Sequence, residues 1–197
     1  MLFRMNIILL TLIASIFAAK DSSKSARRTY LVKKDLFSLL KFSQFSILVP
    51  ENHLVYRIKS YYTFGRKLEV IHVPTNQIVC RLQNKPSFIQ KAINFTIHNS
   101  TSDEWIPGKI ILTPSGFDSK FIIKWDGYSI AMTTKFGSLT TTFEYEYHSG
   151  ILAKFKKRIS SLVWRTKFDL QVFSNDLPDT IYFIGLAIKE QNTKSKG

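Results

Sequence analysis

The feature that most constrains the fold is a repeated alternation of apolar and polar residues in short runs. From Phe42 onward the dominant period is two residues, which is typical of strands that bury one face, rather than the period of about 3.6 residues of a helix. Turn-forming residues separate the runs. The strand-like runs are 45–49, 54–59, 67–73, 77–82, 92–98, 109–112, 120–125, 129–134, 139–147, 151–155 and 168–173. The pattern therefore predicts at least ten short strands.

The dipeptide Asp126-Gly127, which lies between two of these runs, is the strongest hairpin signal in the chain. Hairpin links of this kind join antiparallel strands. A sheet with so many strands has to close on itself or fold over. The sequence therefore predicts a mainly β fold, either a barrel or a sandwich.

The segment after the last run has a different pattern. Ile181 to Ile188 is apolar on all sides, which is typical of a helix that is buried all round. Asp176 is a candidate N-cap for such a helix. We expect a buried helix from about 177 to 190, followed by a polar tail over 192–197. A final buried strand is the alternative.

The first twenty residues have the pattern of a targeting segment. Arg4 precedes an apolar run from Ile7 to Phe17, and Ala18 and Ala19 supply the small residues that a signal peptidase requires. The run is shorter than the roughly 20 residues of a membrane-spanning helix. We expect a cleaved signal peptide over 1–19 and a secreted protein with no transmembrane helix in its mature form. An uncleaved signal anchor is the alternative.

The chain is strongly basic, with 28 Lys and Arg against 14 Asp and Glu and a net charge of +14. Such a surface attracts anions. Residues 20–91 hold 14 basic and 4 acidic residues and so carry +10 of that charge. Residues 20–41 are polar and basic, so we expect a flexible basic arm there and a barrel domain over 42–191. The dibasic pairs Arg27-Arg28 and Lys33-Lys34 are candidate processing sites, with an unprocessed solvated tail as the alternative.

Two N-glycosylation sequons fit a secreted protein: Asn94-Phe95-Thr96 and Asn99-Ser100-Thr101. Asn99 is the stronger candidate because it opens a polar stretch that should be a surface loop. Asn94 lies within a strand-like run.

Two strand–turn–strand units and the end of the chain share a pattern with a known family. The first unit is FSILVPENHLVYRIK over 45–59, the second is LEVIHVPTNQIVCRL over 68–82, and the ending is KFDLQVF over 167–173, followed by the apolar helix. They resemble the tubby C-terminal-like superfamily, in particular the LURP-one-related proteins and, more distantly, the phospholipid scramblases. The resemblance covers about residues 42–190. It implies a closed antiparallel β-barrel of roughly 10–12 strands that encloses the hydrophobic C-terminal helix, and a binding or scaffold domain rather than an enzyme.

The sequence contains no catalytic motif, and we expect no catalytic residue, cofactor or metal site. The histidines lack the spacing of a metal-binding pair: His53, His72, His98 and His148. Glu144 and Glu146 are two residues apart and so share a strand face, which leaves a glycan-acting hydrolase as an alternative to a solvated strand face. The single cysteine, Cys80, excludes an intramolecular disulfide and is expected to be a buried thiol.

The densest basic cluster lies close to the last strand-like run, with Phe155 and Trp164 interleaved. Its members are Lys154, Lys156, Lys157, Arg158, Arg165 and Lys167. Mixed basic and aromatic residues bind lipid headgroups or nucleic acid, although lysines on a strand edge also protect it from aggregation. Because the protein is expected to be secreted, nucleic acid is not its expected partner.

The leading hypothesis is a secreted, non-enzymatic binding or scaffold protein. It would engage anionic lipid headgroups, acidic glycans or an acidic protein through the basic cluster and the arm. Two alternatives stay open: a secreted glycan-acting hydrolase, and a secreted protein that binds a host or partner protein and has no small ligand.

Overall fold

The computed structural model describes residues 25–34, 44–63, 65–84, 92–113, 118–159 and 166–194. These residues form twelve strands and one α-helix. The strands are β1 (Arg28–Lys34), β2 (Phe45–Leu48), β3 (Leu54–Thr63), β4 (Gly65–His72), β5 (Gln77–Asn84), β6 (Ala92–Asn99), β7 (Glu104–Thr113), β8 (Ser119–Trp125), β9 (Tyr128–Thr134), β10 (Thr140–Tyr145), β11 (Ile151–Lys157) and β12 (Lys167–Val172), and the helix is α1 (Thr180–Lys194). The predicted signal peptide lies outside the described residues.

The strands form one closed antiparallel barrel in which each strand pairs with its neighbours in the sequence. The ring is completed by β1, which pairs with β12 on one side and with β2 on the other. The prediction of a closed antiparallel barrel with an enclosed C-terminal helix is confirmed. Closure leaves the ring with no unpaired strand edge, which removes the need to protect one from aggregation.

The Asp126-Gly127 turn is confirmed as a two-residue hairpin loop between β8 and β9. Asp126 and Gly127 have φ angles of 47° and 76°, and Trp125 lies opposite Tyr128. Positive φ at both central positions matches the right-handed twist of the flanking strands.

The core consists of the inward side chains of the barrel packed around α1. Residues Ile181 to Ile188 are all buried, which confirms the helix and excludes a final strand. Gly185 permits close packing, since a Cβ atom there would lie 2.9 Å from the Phe143 ring and 3.1 Å from the Met132 sulfur. The helix continues to Lys194, so residues 192–194 belong to it and not to the predicted tail.

Part of the predicted flexible arm is instead strand β1. The arm was assigned to 20–41, but Arg28–Lys34 is fully paired in the barrel. This basic segment can form a strand of the barrel because its cations do not all face solvent. Its alternate residues Arg28, Tyr30, Val32 and Lys34 face the interior, where the charged and hydroxyl groups among them bind the two ends of α1.

At the start of α1 the partner of β1 is Asp179. The Arg28 guanidinium donates to both carboxylate oxygens of Asp179, from Nε and Nη2, each at 2.8 Å, and the Tyr30 hydroxyl donates to Oδ2 at 2.6 Å. Asp179 immediately precedes the helix, and its carbonyl accepts from the Phe183 amide at 3.2 Å. Asp176, the expected N-cap, lies too early and accepts from the Tyr145 hydroxyl at 2.6 Å instead.

At the end of α1 the charged groups pair in the same way. The Lys34 ammonium lies 3.1 Å from a Glu190 carboxylate oxygen, and both side chains are only 12% exposed. Next to this pair, the Lys189 ammonium donates to the Thr141 hydroxyl at 2.7 Å and lies 5.2 Å from the centre of the Phe155 ring. The pKa of Lys189 is lowered from 10.5 to about 8, chiefly by burial; the charge of Glu190 opposes this change and the charge of Lys157 adds to it.

We expect the Asp179→Asn substitution to lower the free energy of unfolding by about 2 kcal/mol, because charge-assisted hydrogen bonds from Arg28 and Tyr30 are weakened at a site where the carboxylate is only 11% exposed. Urea denaturation measures the change. Asp169→Asn is the matched control, since the Asp169 carboxylate accepts a similar bidentate contact from the Arg158 guanidinium but its side chain is 46% exposed. The free energy of unfolding of this control should fall by less than about 1 kcal/mol. Equal losses in the two variants would contradict a specific role for Asp179.

Stability should rise as the pH increases from about 8 to about 9. The folded protein releases the Lys189 proton near pH 8 and the unfolded chain near 10.5, so the unfolded state binds more protons in this window. Above about pH 9 stability should fall, because burial raises the pKa values of the Cys80 thiol and of Tyr30, Tyr56 and Tyr182, and only the unfolded state ionises these groups. Urea denaturation across this range measures both slopes. A Lys189→Met variant with the same rise would contradict this assignment.

Candidate functional site

The outer face of three neighbouring strands, β11, β12 and β1, collects most of the predicted basic cluster. On β11, Ala153 and Phe155 are buried in the core, so Lys154 and Lys156 between and after them face outward. On β12, Phe168 and the alternate residues after it are buried, and Lys167 faces outward.

The register brings these outward residues side by side. Lys156 lies opposite Asp169, and the Arg158 amide donates to the Lys167 carbonyl at 3.0 Å. On the other side of β12, Lys167 lies opposite Lys33 of β1. We call the set Lys33, Lys154, Lys156, Arg158 and Lys167 the basic face.

Two members of the predicted cluster are not part of the basic face. Lys157 follows the buried Phe155 by two residues on β11, and its charge acts on the buried Lys189 near the end of α1. It therefore lies at the mouth of the barrel rather than on the wall. Arg165 lies outside the described residues.

One acidic residue lies within the basic face. Arg158 donates from Nε and Nη2 to the carboxylate of Asp169, with the shortest contact at 2.6 Å. This pair is exposed, at 43% for Arg158 and 46% for Asp169. The contact offsets part of the Arg158 charge and orients its guanidinium along the wall.

Sequence reasoning missed Lys33, because the segment around it was assigned to the arm. The signal was present in Thr29-Tyr-Leu-Val-Lys33, which alternates like the other strands. The charged surface also continues beyond Lys33, since Ser46 of β2 lies opposite both Lys33 and the outward Arg57 of β3.

The basic face contains a like-charge pair across neighbouring strands. Lys33 and Lys167 lie opposite each other on β1 and β12, and like charges in this position destabilise a sheet by about 0.2–1 kcal/mol. A second such pair, Lys109 and Lys124, lies on β7 and β8 on the far side of the barrel. The second pair provides a natural control for the first.

Charge is also divided between the two ends of the barrel. We call the end where α1 begins the acidic end and the end where α1 finishes the basic end. The described carboxylates at the acidic end are those of Glu51, Asp103, Glu104, Asp126, Glu144, Glu146, Asp176 and Asp179, against the cations Arg27, Arg28 and Lys124. The described cations at the basic end are Lys33, Lys34, Lys67, Lys120, Lys135, Lys156, Lys157, Arg158, Lys167 and Lys189, against Asp118, Asp169 and Glu190. The polarity of α1 matches, since its positive N-terminus faces the acidic end.

The other sequence candidates are not assembled into a reactive centre. Glu144 is exposed on the outside of β10, whereas Glu146 lies beyond the end of that strand and accepts from the Ser129 hydroxyl. Glycoside hydrolysis needs two carboxylates that flank a bound sugar, and this geometry gives no support for such a pair. Within the described part of the chain, no three His, Cys, Asp or Glu side chains are grouped so that they could hold a metal ion. Cys80 is buried as expected, and burial raises the pKa of its thiol.

Both sequons lie on β6, on the opposite side of the barrel from β12. Asn94 is exposed on the outer wall, opposite Lys109 of β7. Asn99 ends the strand, and its side-chain oxygen accepts from the Thr101 amide at 3.0 Å. The basic face and the sequons therefore occupy different walls.

In the part of the chain that the structure describes, no helix combines the length and apolarity needed to cross a membrane. Neither a scan against models of known protein families nor a search of curated proteins found a match to this chain.

We expect the Lys33→Glu substitution to raise the free energy of unfolding by about 0.5–1 kcal/mol, because it replaces a like-charge pair with Lys167 by an opposite-charge pair. Thermal or urea denaturation measures the gain. The control is Lys120→Glu on β8, where the residue lies opposite Thr113 and Thr133. A gain of the same size in the control would assign the effect to total charge instead of to the pair.

Proposed function

We propose that this protein is a secreted, non-enzymatic β-barrel that binds an anionic surface through the basic face. The observation that carries the proposal is the alignment of Lys33, Lys167 and Arg158 across three adjacent strands, with Lys156 and Lys154 behind them. A wall of this kind can meet a flat, multiply charged surface at several points at once.

Each lysine near an anionic surface contributes about 1 kcal/mol to binding at moderate salt. The five cations of the basic face, less the share offset by Asp169, are therefore enough for a measurable affinity. Binding of this type weakens as salt is added, because the interaction is screened over about 10 Å at 0.1 M.

Secretion and glycosylation are part of the same proposal. The segment 1–19 would direct the chain to the secretory pathway, and Asn99, with Asn94 as the second candidate, would carry glycans. Since both sequons lie on β6, their glycans would leave the basic face on the opposite wall accessible. The turn that follows Asn99 keeps its side chain at the end of a strand, beside an exposed loop.

We also propose that the chain is a divergent member of the tubby C-terminal-like superfamily. The closed barrel of twelve antiparallel strands around a buried C-terminal helix supports this assignment, together with the two strand–turn–strand units over 45–59 and 68–82. The scaffold role that the resemblance implies is compatible with binding through the outer wall.

The proposal predicts that Lys33→Gln combined with Lys167→Gln weakens binding to anionic vesicles or to heparin about 10- to 30-fold at moderate salt. Removal of the like-charge pair should stabilise the fold, so a loss of binding would not reflect unfolding. Co-sedimentation with vesicles and heparin-column elution measure the two affinities.

The matched control is Lys109→Gln with Lys124→Gln, which removes an equal charge from the other cross-strand lysine pair. The affinity of the control for vesicles and for heparin should fall no more than about threefold, as expected for a change in overall charge alone. If both double variants lose the same affinity, binding follows total charge and the basic face is not the site. Binding to a protein partner that does not weaken with added salt would favour the alternative of a host-interacting or partner-interacting protein.

A further inference from the structure

Two large apolar side chains are strongly exposed at the basic end of the barrel, where Leu112 of β7 is also 42% exposed. Phe136 is 79% exposed in the connection between β9 and β10, and Ile159 is 70% exposed just after β11. The two connections leave neighbouring strands at the same end, since the Lys157 amide donates to the Leu139 carbonyl at 2.9 Å. Burying either side chain in an apolar environment would be favourable by itself.

The exposure of Phe136 is built into an ordered turn. The Phe136 amide donates to the Asp118 carboxylate at 2.8 Å, and the Ser138 amide donates to the Lys135 carbonyl at 3.0 Å. Gly137 adopts a φ angle of 71°, which favours glycine, and so completes the turn. The backbone is thus held in a conformation that keeps the ring directed to the outside.

Cations flank both apolar side chains. Lys135 directly precedes Phe136 and Arg158 directly precedes Ile159. The acidic residues described at this end each have a partner, since Asp118 accepts from the Phe136 amide, Asp169 pairs with Arg158 and Glu190 pairs with Lys34. The apolar side chains therefore project from a surface of net positive charge.

The acidic end of the barrel serves as a comparison, because it also exposes a large side chain but in a surface of the opposite charge. Tyr147 is 74% exposed there, but it carries a hydroxyl group and directly follows Glu146 in a surface rich in carboxylates. Only the basic end, among the described residues, combines exposed aliphatic or phenyl groups with cations. An anionic surface would therefore attract the basic end and repel the acidic one, which orients the barrel axis.

We propose that the anionic surface is a lipid bilayer and that the barrel docks on it with its basic end, inserting Phe136 and Ile159 into the headgroup region. This inference rests on the proposed function and names its ligand. In such an arrangement apolar side chains reach the boundary of the acyl chains while lysine and arginine side chains extend to lipid phosphates. Lys33, Lys156, Arg158 and Lys167 lie towards the basic end of their strands, so the basic face would meet the membrane along one rim. A sulfated glycan or an acidic peptide would need the cations but not the two apolar side chains.

The test compares Phe136→Ser and Ile159→Ser, singly and together, with Tyr147→Ser, which changes an equally exposed side chain at the acidic end. The probes are phosphatidylcholine vesicles with about one-third phosphatidylserine, vesicles of phosphatidylcholine alone, and soluble heparin. We expect each substitution at the basic end to weaken binding to the anionic vesicles roughly tenfold, with unchanged binding to heparin. Tyr147→Ser should bind all three probes as the wild type does. Circular dichroism checks that each exposed-site variant is folded.

Three results would overturn the inference while leaving the proposed function standing. The first is binding of the wild type to heparin but not to anionic vesicles. The second is wild-type vesicle binding by the Phe136→Ser, Ile159→Ser double variant, and the third is an equal loss for Tyr147→Ser. Failure of the proposed function gives a different pattern, in which Lys33→Gln with Lys167→Gln binds both heparin and vesicles as well as the wild type does.

Discussion

The fold depends on the contacts between β1 and the two ends of α1. Strand β1 completes the ring of strands, and its inward side chains bind the helix through Arg28 and Asp179 at one end and through Lys34 and Glu190 at the other. Six residue steps along β1 cover roughly 20 Å, and eleven steps along the helix cover roughly 16 Å. One strand can therefore span the length of the buried helix and fix its position along the barrel axis. Without these contacts an apolar helix could slide, since uniform hydrophobic packing specifies position poorly.

The same strand links the fold to the proposed binding surface. Because side chains alternate along a strand, the use of Arg28 and Lys34 inside the barrel leaves Lys33 on the outer wall. There it faces Lys167 and completes the basic face. Closure of the barrel also places the connections of β9–β10 and β11–β12 at one end, where Phe136 and Ile159 are exposed. The arrangement of charge on the surface is thus a direct consequence of how the interior is held together.

Much of the fold could be predicted from local patterns, because each inner residue has an outer neighbour of contrasting polarity. The period of two located β2 to β6 and β8 to β12 to within a few residues, and the all-round apolarity of 181–188 indicated a buried helix. Strand β1 was missed because its inward row contains Arg28 and Lys34, whose partners lie about 150 residues away in the chain. Periodicity cannot reveal a buried charge that is paired at such a distance. The sequence cluster also grouped Lys157 with Lys156, although successive residues of a strand face opposite sides and Lys157 acts on the buried Lys189.

The most direct test of the role of β1 is amide hydrogen exchange in this strand, followed residue by residue by NMR. We predict that the amides of Tyr30, Leu31 and Val32 exchange only through global unfolding, as slowly as those of β12. Exchange of these amides at the rate of an unstructured peptide, with β12 still protected, would contradict it. That result would mean that the segment is a flexible arm. Strand β1 would then not bind the two ends of α1, and Lys33 would not be part of the basic face.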